Sequence, residues 1–181
     1  VVVRPDGELA LVYDKMHVCN MGKCSEAAYG FSAGDTLGVF ECKGRDGQAV
    51  VIGMSICYDL RFPELFRALA WQHNVDLVLH PSAFIRDATF PTYHHFAVTR
   101  AQENGVYLLS VNHAGTEYGD SVAVPPWVGP VPTSGGGEEV LTLSALGTEQ
   151  AVLPLDVRRG VLHAVRDSFP YRLNVNLALA S

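Results

Sequence analysis

A cysteine and a lysine are the residues through which this chain of 181 amino acids could do covalent chemistry. Cys57 follows the apolar run Val50-Val51-Ile52-Gly53-Met54-Ser55-Ile56 and precedes Tyr58-Asp59-Leu60-Arg61-Phe62-Pro63-Glu64. The run reads as a buried strand. Pro63, followed by Leu65, Phe66, Leu69 and Ala70, reads as a helix with proline in its first turn. A thiol at such a turn stands at the carboxyl edge of a sheet, where α/β folds place their ligands. An ordinary thiol, with a pKa of ~8.5, is mostly protonated at neutral pH, so a nucleophile needs a base, a cation or a helix start aimed at it. The turn supplies the helix start, and the Tyr58 backbone N–H is a candidate donor to a developing oxyanion. The alternative is that Cys57 fills the core as a small apolar side chain.

Lys15 lies in Leu11-Val12-Tyr13-Asp14-Lys15-Met16-His17-Val18, a stretch that reads as an otherwise apolar strand. A lysine there is unfavourable unless paired or functional. Alternation places Tyr13, Lys15 and His17 on one face and Val12, Asp14, Met16 and Val18 on the other. A snorkelling edge-strand lysine is the competing reading.

The elements that must position these residues follow from periodicity and turn signals. Val1–Val3 and Glu8–Tyr13 flank the turn Arg4-Pro5-Asp6-Gly7 and predict a hairpin whose first arm is cut short, with further sequence expected before Val1. A loop spans Asn20–Asp35, a strand Thr36–Cys42, and a turn 43–47 leads into the Cys57 strand. The helix from Pro63 ends before Asn74; Val75–His80 is a short buried strand; Pro91–Asn104 is a helix closed by Gly105; Val106–Val111 is another strand. This alternation predicts βαβ crossovers and a parallel core within one domain over residues 1–181. Later strands are expected at Ser121–Val124, Glu139–Leu143 and Gln150–Leu155, with Pro125–Gly137 as a loop between them. The Gly135–Gly137 run is no phosphate loop, because no Gly-Lys-Ser/Thr follows it.

Composition bounds the function classes. Apolar residues make up 48% of the chain, which suits one packed core, and no apolar run reaches the ~18 residues of a membrane span. A net charge of −6 without a basic patch argues against nucleic acid. A cytoplasmic protein with no membrane partner is expected. Cys19, Cys24 and Cys42 are expected as reduced structural thiols, and no second pair or spaced histidine completes a metal site around Cys19 and Cys24. His94 and His95 are adjacent and so diverge on a helix rather than pair as ligands.

Several segments resemble the nitrilase-type carbon–nitrogen hydrolases. Tyr13-Asp14-Lys15-Met16-His17-Val18 is similar to their lysine motif and Phe31-Ser32-Ala33-Gly34-Asp35 to the loop after it. Ser55 to Glu64 matches their nucleophile motif, and His80-Pro81-Ser82-Ala83-Phe84, Arg100 to Asn104, Asn112 and Gly119-Asp120-Ser121 follow in order. The resemblance implies an α/β fold, the nitrilase-like α-β-β-α sandwich, incomplete at its N-terminal end. It implies hydrolysis of a small amide, carbamoyl or nitrile substrate through a thioester, releasing ammonia or an amine, without metal or organic cofactor. Carried over by position, Cys57 is the nucleophile, Lys15 the oxyanion cation assisted by Tyr58, and Glu26 the second glutamate that many members carry between lysine and cysteine. Phe84 and Ile85, after the strand ending at Pro81, are expected to shape the substrate side.

The family's general-base glutamate stands upstream of the lysine motif, and neither Asp6 nor Glu8 in the hairpin can replace it. Tyr93 stands where the family often has tryptophan, and Pro125–Gly129 is a distorted form of its Asp-Pro turn. A non-catalytic binding or oligomerisation module is therefore the alternative function. A thiol-redox or amidotransferase elbow is disfavoured, because Ile56 and Tyr58 crowd the cysteine. The apolar tail, Phe169-Pro170-Tyr171 through Leu179, predicts packing against a second copy in a homodimer or higher homo-oligomer.

Overall fold

The computed structural model describes residues 1–21 and 24–176. In chain order the elements are β1 (Val2–Val3), β2 (Leu9–Leu11), β3 (Asn20–Met21), β4 (Cys24–Ser25), β5 (Val39–Lys43), β6 (Ala49–Met54), α1 (Pro63–His73), β7 (Leu77–Pro81), α2 (Tyr93–Asn104), β8 (Tyr107–Val111), β9 (Val122–Val124), β10 (Gly129–Pro132), β11 (Glu138–Leu141), β12 (Ser144–Ala145), α3 (Arg159–Ser168) and α4 (Tyr171–Asn174). The central sheet runs β12-β9-β8-β7-β6-β5. Its middle strands β6, β7 and β8 are parallel, joined through α1 and α2, and the outer pairings are antiparallel.

Each parallel crossover has a local cause. α1 begins with Pro63 at its first position and buries Leu65, Phe66, Leu69 and Ala70 on one face. It ends at Asn74 in the left-handed region, a common helix stop. α2 buries Tyr93, Ala97, Arg100, Ala101 and Asn104, and Gly105, at φ +59°, closes it by bonding back to Ala101 and Gln102. Both helices cover one face of the sheet, where Val78, Leu108, Val122 and Val124 complete the main core. The strands are buried on this face and, through Ile52, Leu77 and Tyr107, largely covered on the other, which is why they read as near-continuous apolar runs.

The other face is met by α3, whose Leu162 packs with Ile52, Leu77 and Tyr107. Val165 on the same helix packs with Val131 and Leu141 of the β10–β11 hairpin. Of the expected layers, the described residues supply the helix pair and one main sheet, with α3 and this hairpin on the second face. No helix among the described residues is long and apolar enough to cross a membrane.

Outside the site, the structure departs from the sequence reading in four places. Gln150–Leu155 forms no strand; it runs irregularly, with Leu155 packed on the second face of the sheet. The expected loop Pro125–Gly137 contains β10, paired with β11 from Gly129 opposite Leu141 to Pro132 opposite Glu138. Prolines fit there because a two-stranded hairpin is all edge. The loop after Asn20 holds a small β3–β4 hairpin. Finally, α3 forms where no helix was expected, on the apolar spacing Val161, Leu162, Val165. The tail residues beyond 176 lie outside the described residues; within them Phe169 stacks on Trp127 of its own chain at 3.8 Å.

Candidate active site

β6 ends at Met54, and the Ser55 N–H still bonds to the Leu79 carbonyl at 3.1 Å, so the chain leaves the sheet directly above β7. Cys57 then opens a single 3-10 turn, Cys57–Arg61, with φ +48°. A left-handed backbone at a non-glycine residue costs on the order of 1–3 kcal/mol and persists only where its surroundings over-determine it. Here Asp59 does so: its N–H reaches the Ile56 carbonyl at 3.0 Å, and its Oδ2 accepts the Ile56 N–H at 2.9 Å. Cys57 is half-buried, and the Tyr58 N–H meets no acceptor among the described residues.

Lys15 arrives on an arm that is not the strand its sequence predicts. Regular pairing stops at Leu11, and residues 12–19 have no ladder partner. Side chains and loops hold the arm instead. The Gly34 N–H donates to the Lys15 carbonyl at 2.9 Å, and a Cβ at Gly34 would run into the Asp14 carbonyl, so the loop can lie this close only with glycine. The Lys15 ammonium donates to both oxygens of Glu26, at 2.7 and 2.6 Å. Glu26 Oε2 also takes the Cys19 N–H at 2.6 Å. Burial alone would push the Glu26 carboxyl up, but the Lys15 ammonium and the Cys19 N–H outweigh it and hold it below its usual range. An ammonium has three protons, and among the described residues the two Glu26 oxygens are its only hydrogen-bond acceptors. The same ammonium lies 5.9 Å from the centre of the Tyr58 ring, next in chain to Cys57.

Arm and turn meet at Asp59, whose side chain is completely buried. Its Oδ1 accepts the His17 N–H at 2.9 Å and His17 Nδ1 at 2.8 Å; its Oδ2 accepts the Tyr13 hydroxyl at 2.8 Å. Burial, then the negative charge of Asp59, push the Tyr13 phenol far up, which keeps it a donor. The His17 ring stacks on Phe62 at 3.7 Å. Alternation did put Tyr13 and His17 together, although what gathers them is one carboxylate rather than a sheet face.

A buried polar row lies across the neighbouring strand ends. Ser55 Oγ meets His80 Nδ1 at 2.8 Å, and Ser110 Oγ meets the Tyr93 hydroxyl at 2.6 Å. Desolvation pulls the His80 imidazole down to about 4, so it is neutral at neutral pH, and its Nε2 has no partner among the described residues. Burial pushes the Tyr93 phenol up to about 12, and Cys57 lies within its electrostatic reach.

Of the residues expected on the substrate side, Phe84 is buried, stacked on Tyr93 at 4.8 Å and pinned by Asn112 through bonds of 2.8 and 3.0 Å. Ile85 is exposed. Arg61 lies over the rings of Tyr58, Phe84 and Phe96, cation–π contacts that leave no local sequence signal. Asp6 accepts the Glu8 N–H within its own turn, and Glu8 is exposed, so neither carboxylate enters the site. Lys15, Glu26, Tyr58 and Cys57 are the expected residues that the structure gathers at one sheet edge.

That arrangement combines a strained thiol, an ammonium held by a carboxylate, and a backbone N–H without an acceptor among the described residues, the parts needed to attack a carbonyl and hold the resulting oxyanion. Known proteins resemble the chain throughout. The model of the carbon-nitrogen hydrolase family matches residues 1–147. Omega-amidase NIT2 of Xenopus tropicalis is 28% identical over 184 residues, covering 94% of this chain and 59% of that protein. The chain thus spans about three fifths of the length of that relative. Among solved structures, Nit3 of Saccharomyces cerevisiae, a member of branch 10 of the nitrilase superfamily, superposes with a TM-score of 0.61 at 26% identity, over 91% of this chain and 54% of its own. An amidase from Nesterenkonia sp. AN1, with acrylamide added to its active-site cysteine, gives 0.59 at 25% identity over 94% and 61%. These neighbours share the mixed α/β fold.

Proposed function

The chain belongs to the carbon-nitrogen hydrolase family, and from that premise we propose that its protein cleaves the C–N bond of a small carboxamide through a thioester on Cys57. The observation that carries this reading is the Lys15–Glu26 pair, whose ammonium has no further acceptor among the described residues, set beside the cysteine turn. The amidase names of its relatives favour an amide over a nitrile.

The steps follow from the geometry. Cys57 Sγ attacks the carbonyl carbon, a C–S bond forms, and the oxygen gains the negative charge. Lys15 and the Tyr58 N–H stabilise that charge, while Glu26 keeps the ammonium aimed and ionised. The C–N bond then breaks, the nitrogen takes the proton given up by the Cys57 thiol and leaves as ammonia, and water cleaves the thioester to the acid and returns a proton to the sulfur. The proton shuttle is the role that the family resemblance gives to a glutamate upstream of the lysine motif.

The intact protein carrying this chain is expected to release ammonia from small amides and to show an acyl adduct on Cys57 by mass spectrometry. Cys57→Ala should abolish both. Unchanged turnover in that variant would end the thioester reading.

A further inference from the structure

We infer that Asp59 is a positioning residue: its buried carboxylate clamps the Lys15 arm to the Cys57 turn and so sets the distance between ammonium and thiol. The inference rests on the hydrolase reading for the roles of Lys15 and Cys57, but not for the clamp itself.

Three features support it. The donors from the arm come from Tyr13 and His17, two residues to either side of Lys15. The donor from the turn is the Ile56 N–H, immediately before Cys57. The arm has no strand ladder across residues 12–19 among the described residues, so bonds to side chains rather than to a neighbouring strand hold it to the turn. A carboxylate offers about four lone-pair directions, and here four donors at 2.8–2.9 Å occupy them. Its geometry is therefore fixed from both sides. Gly34 and Glu26 restrain the same arm, but neither makes a hydrogen bond to the turn among the described residues.

Asparagine keeps the size of Asp59 but puts an NH2 where one oxygen accepted, so it faces donors with a donor. A misplacement of about 1 Å can reduce rate by about 100-fold. Asp59→Asn is expected to lower kcat by about that factor while KM changes less than about threefold. Tyr13→Phe removes a single donor and should give a smaller loss of kcat in a stably folded protein. Asp76→Asn is the control. Asp76 is also a buried aspartate, but it bonds Val51 N at 3.2 Å and Arg166 at 3.4 Å, at the amino end of the sheet. It should lower the melting temperature and leave kcat within about threefold.

The deciding test is a double-mutant cycle on the alkylation rate of Cys57 by iodoacetamide, read by mass. Lys15→Ala should slow alkylation about tenfold in the wild type and hardly at all with Asp59→Asn, because the ammonium is already displaced. Equal slowing in both backgrounds would overturn the inference, as would an Asp76→Asn variant with the same kcat loss. A wild-type protein that releases no ammonia would sink the hydrolase reading alone. The alkylation cycle would still decide the role of Asp59.

Discussion

The two ends of the parallel strands are built on opposite principles. At the amino end, Asp76 sits between the Val51 N–H and the Arg166 guanidinium. Arg166 in turn donates to the Val75 and Gly105 carbonyls at 2.8 and 3.0 Å, tying α3 to the starts of β7 and β8. A charged pair is used there to close off backbone groups. At the carboxyl end, Cys57 and Asp120 hold left-handed backbone, and His80 Nε2 and Ser82 Oγ are buried without partners among the described residues. The amino end has a left-handed residue too, Asn74, but as a helix C-cap it is ordinary; Asn104 Oδ1 is its one unpartnered buried atom. Strain and unmet polar groups thus gather at the carboxyl end, where the thiol stands, which is how functional sites differ from scaffold.

If that contrast is right, changes at the carboxyl end should cost rate more than stability. Lys15→Ala tests this most strongly. It removes the ammonium donor, and lost oxyanion donors cost about 3–4 kcal/mol of transition-state stabilisation, or 10²–10³ in kcat. Its effect on stability should be small, because Glu26 is partly exposed and can be rehydrated. Amide turnover and urea denaturation measured on the same protein check both halves. Near-normal kcat would make Lys15 structural and erase the contrast at its main point.

The next effect is pH dependence. The folded His80 titrates near 4, against about 6.5 when unfolded, because burial disfavours its cation. Its contribution to stability is therefore fully present above about pH 6.5 and is lost as the pH falls toward 4. Two units of this shift amount to about 3 kcal/mol at pH 4.5. His80→Gln should lose less stability than wild type between pH 7 and pH 4.5, by roughly that amount, in denaturant titrations. Parallel losses in the two proteins would mean that His80 is not held neutral.

What the sequence showed and hid follows the same division. Cys57 and Lys15 stood out because each is an unusual residue type for its place, a thiol at a turn and a lysine among apolar neighbours; Glu26 was singled out only by the family resemblance. The parallel core was legible because α1, α2 and strands β6 to β8 are local patterns. Asp59 reads from the sequence as an anchor of its own turn, but its bonds to the arm were not legible, since those partners lie 42 and 46 residues away and only folding brings them together. The arm was misread as strand because apolar alternation is a local signal, whereas side-chain bonds to distant groups hold it. β10 was hidden by Pro130 and Pro132, which an edge hairpin tolerates. For α3 the signal was present, in the spacing of Val161, Leu162 and Val165, beside a Gly160 that reads as a breaker.

The smallest predicted effect bears directly on stored strain. At an ordinary position, alanine is more favourable than glycine, because glycine loses more freedom on folding. Cys57 sits at φ +48°, where an L-residue pays about 1–2 kcal/mol that glycine does not. Net of the entropy term, Cys57→Gly should be more stable than Cys57→Ala by about 1 kcal/mol, with both inactive. At the amino end, Asn74 has φ +54°, but asparagine already tolerates that region, so Asn74→Gly should change stability by only a few tenths of a kcal/mol. Urea midpoints for the three variants and wild type make the comparison. If Cys57→Ala proved more stable than Cys57→Gly by the entropy term, about 0.4–1 kcal/mol, the turn would hold no strain, and the site end would differ from the scaffold end only in its chemistry.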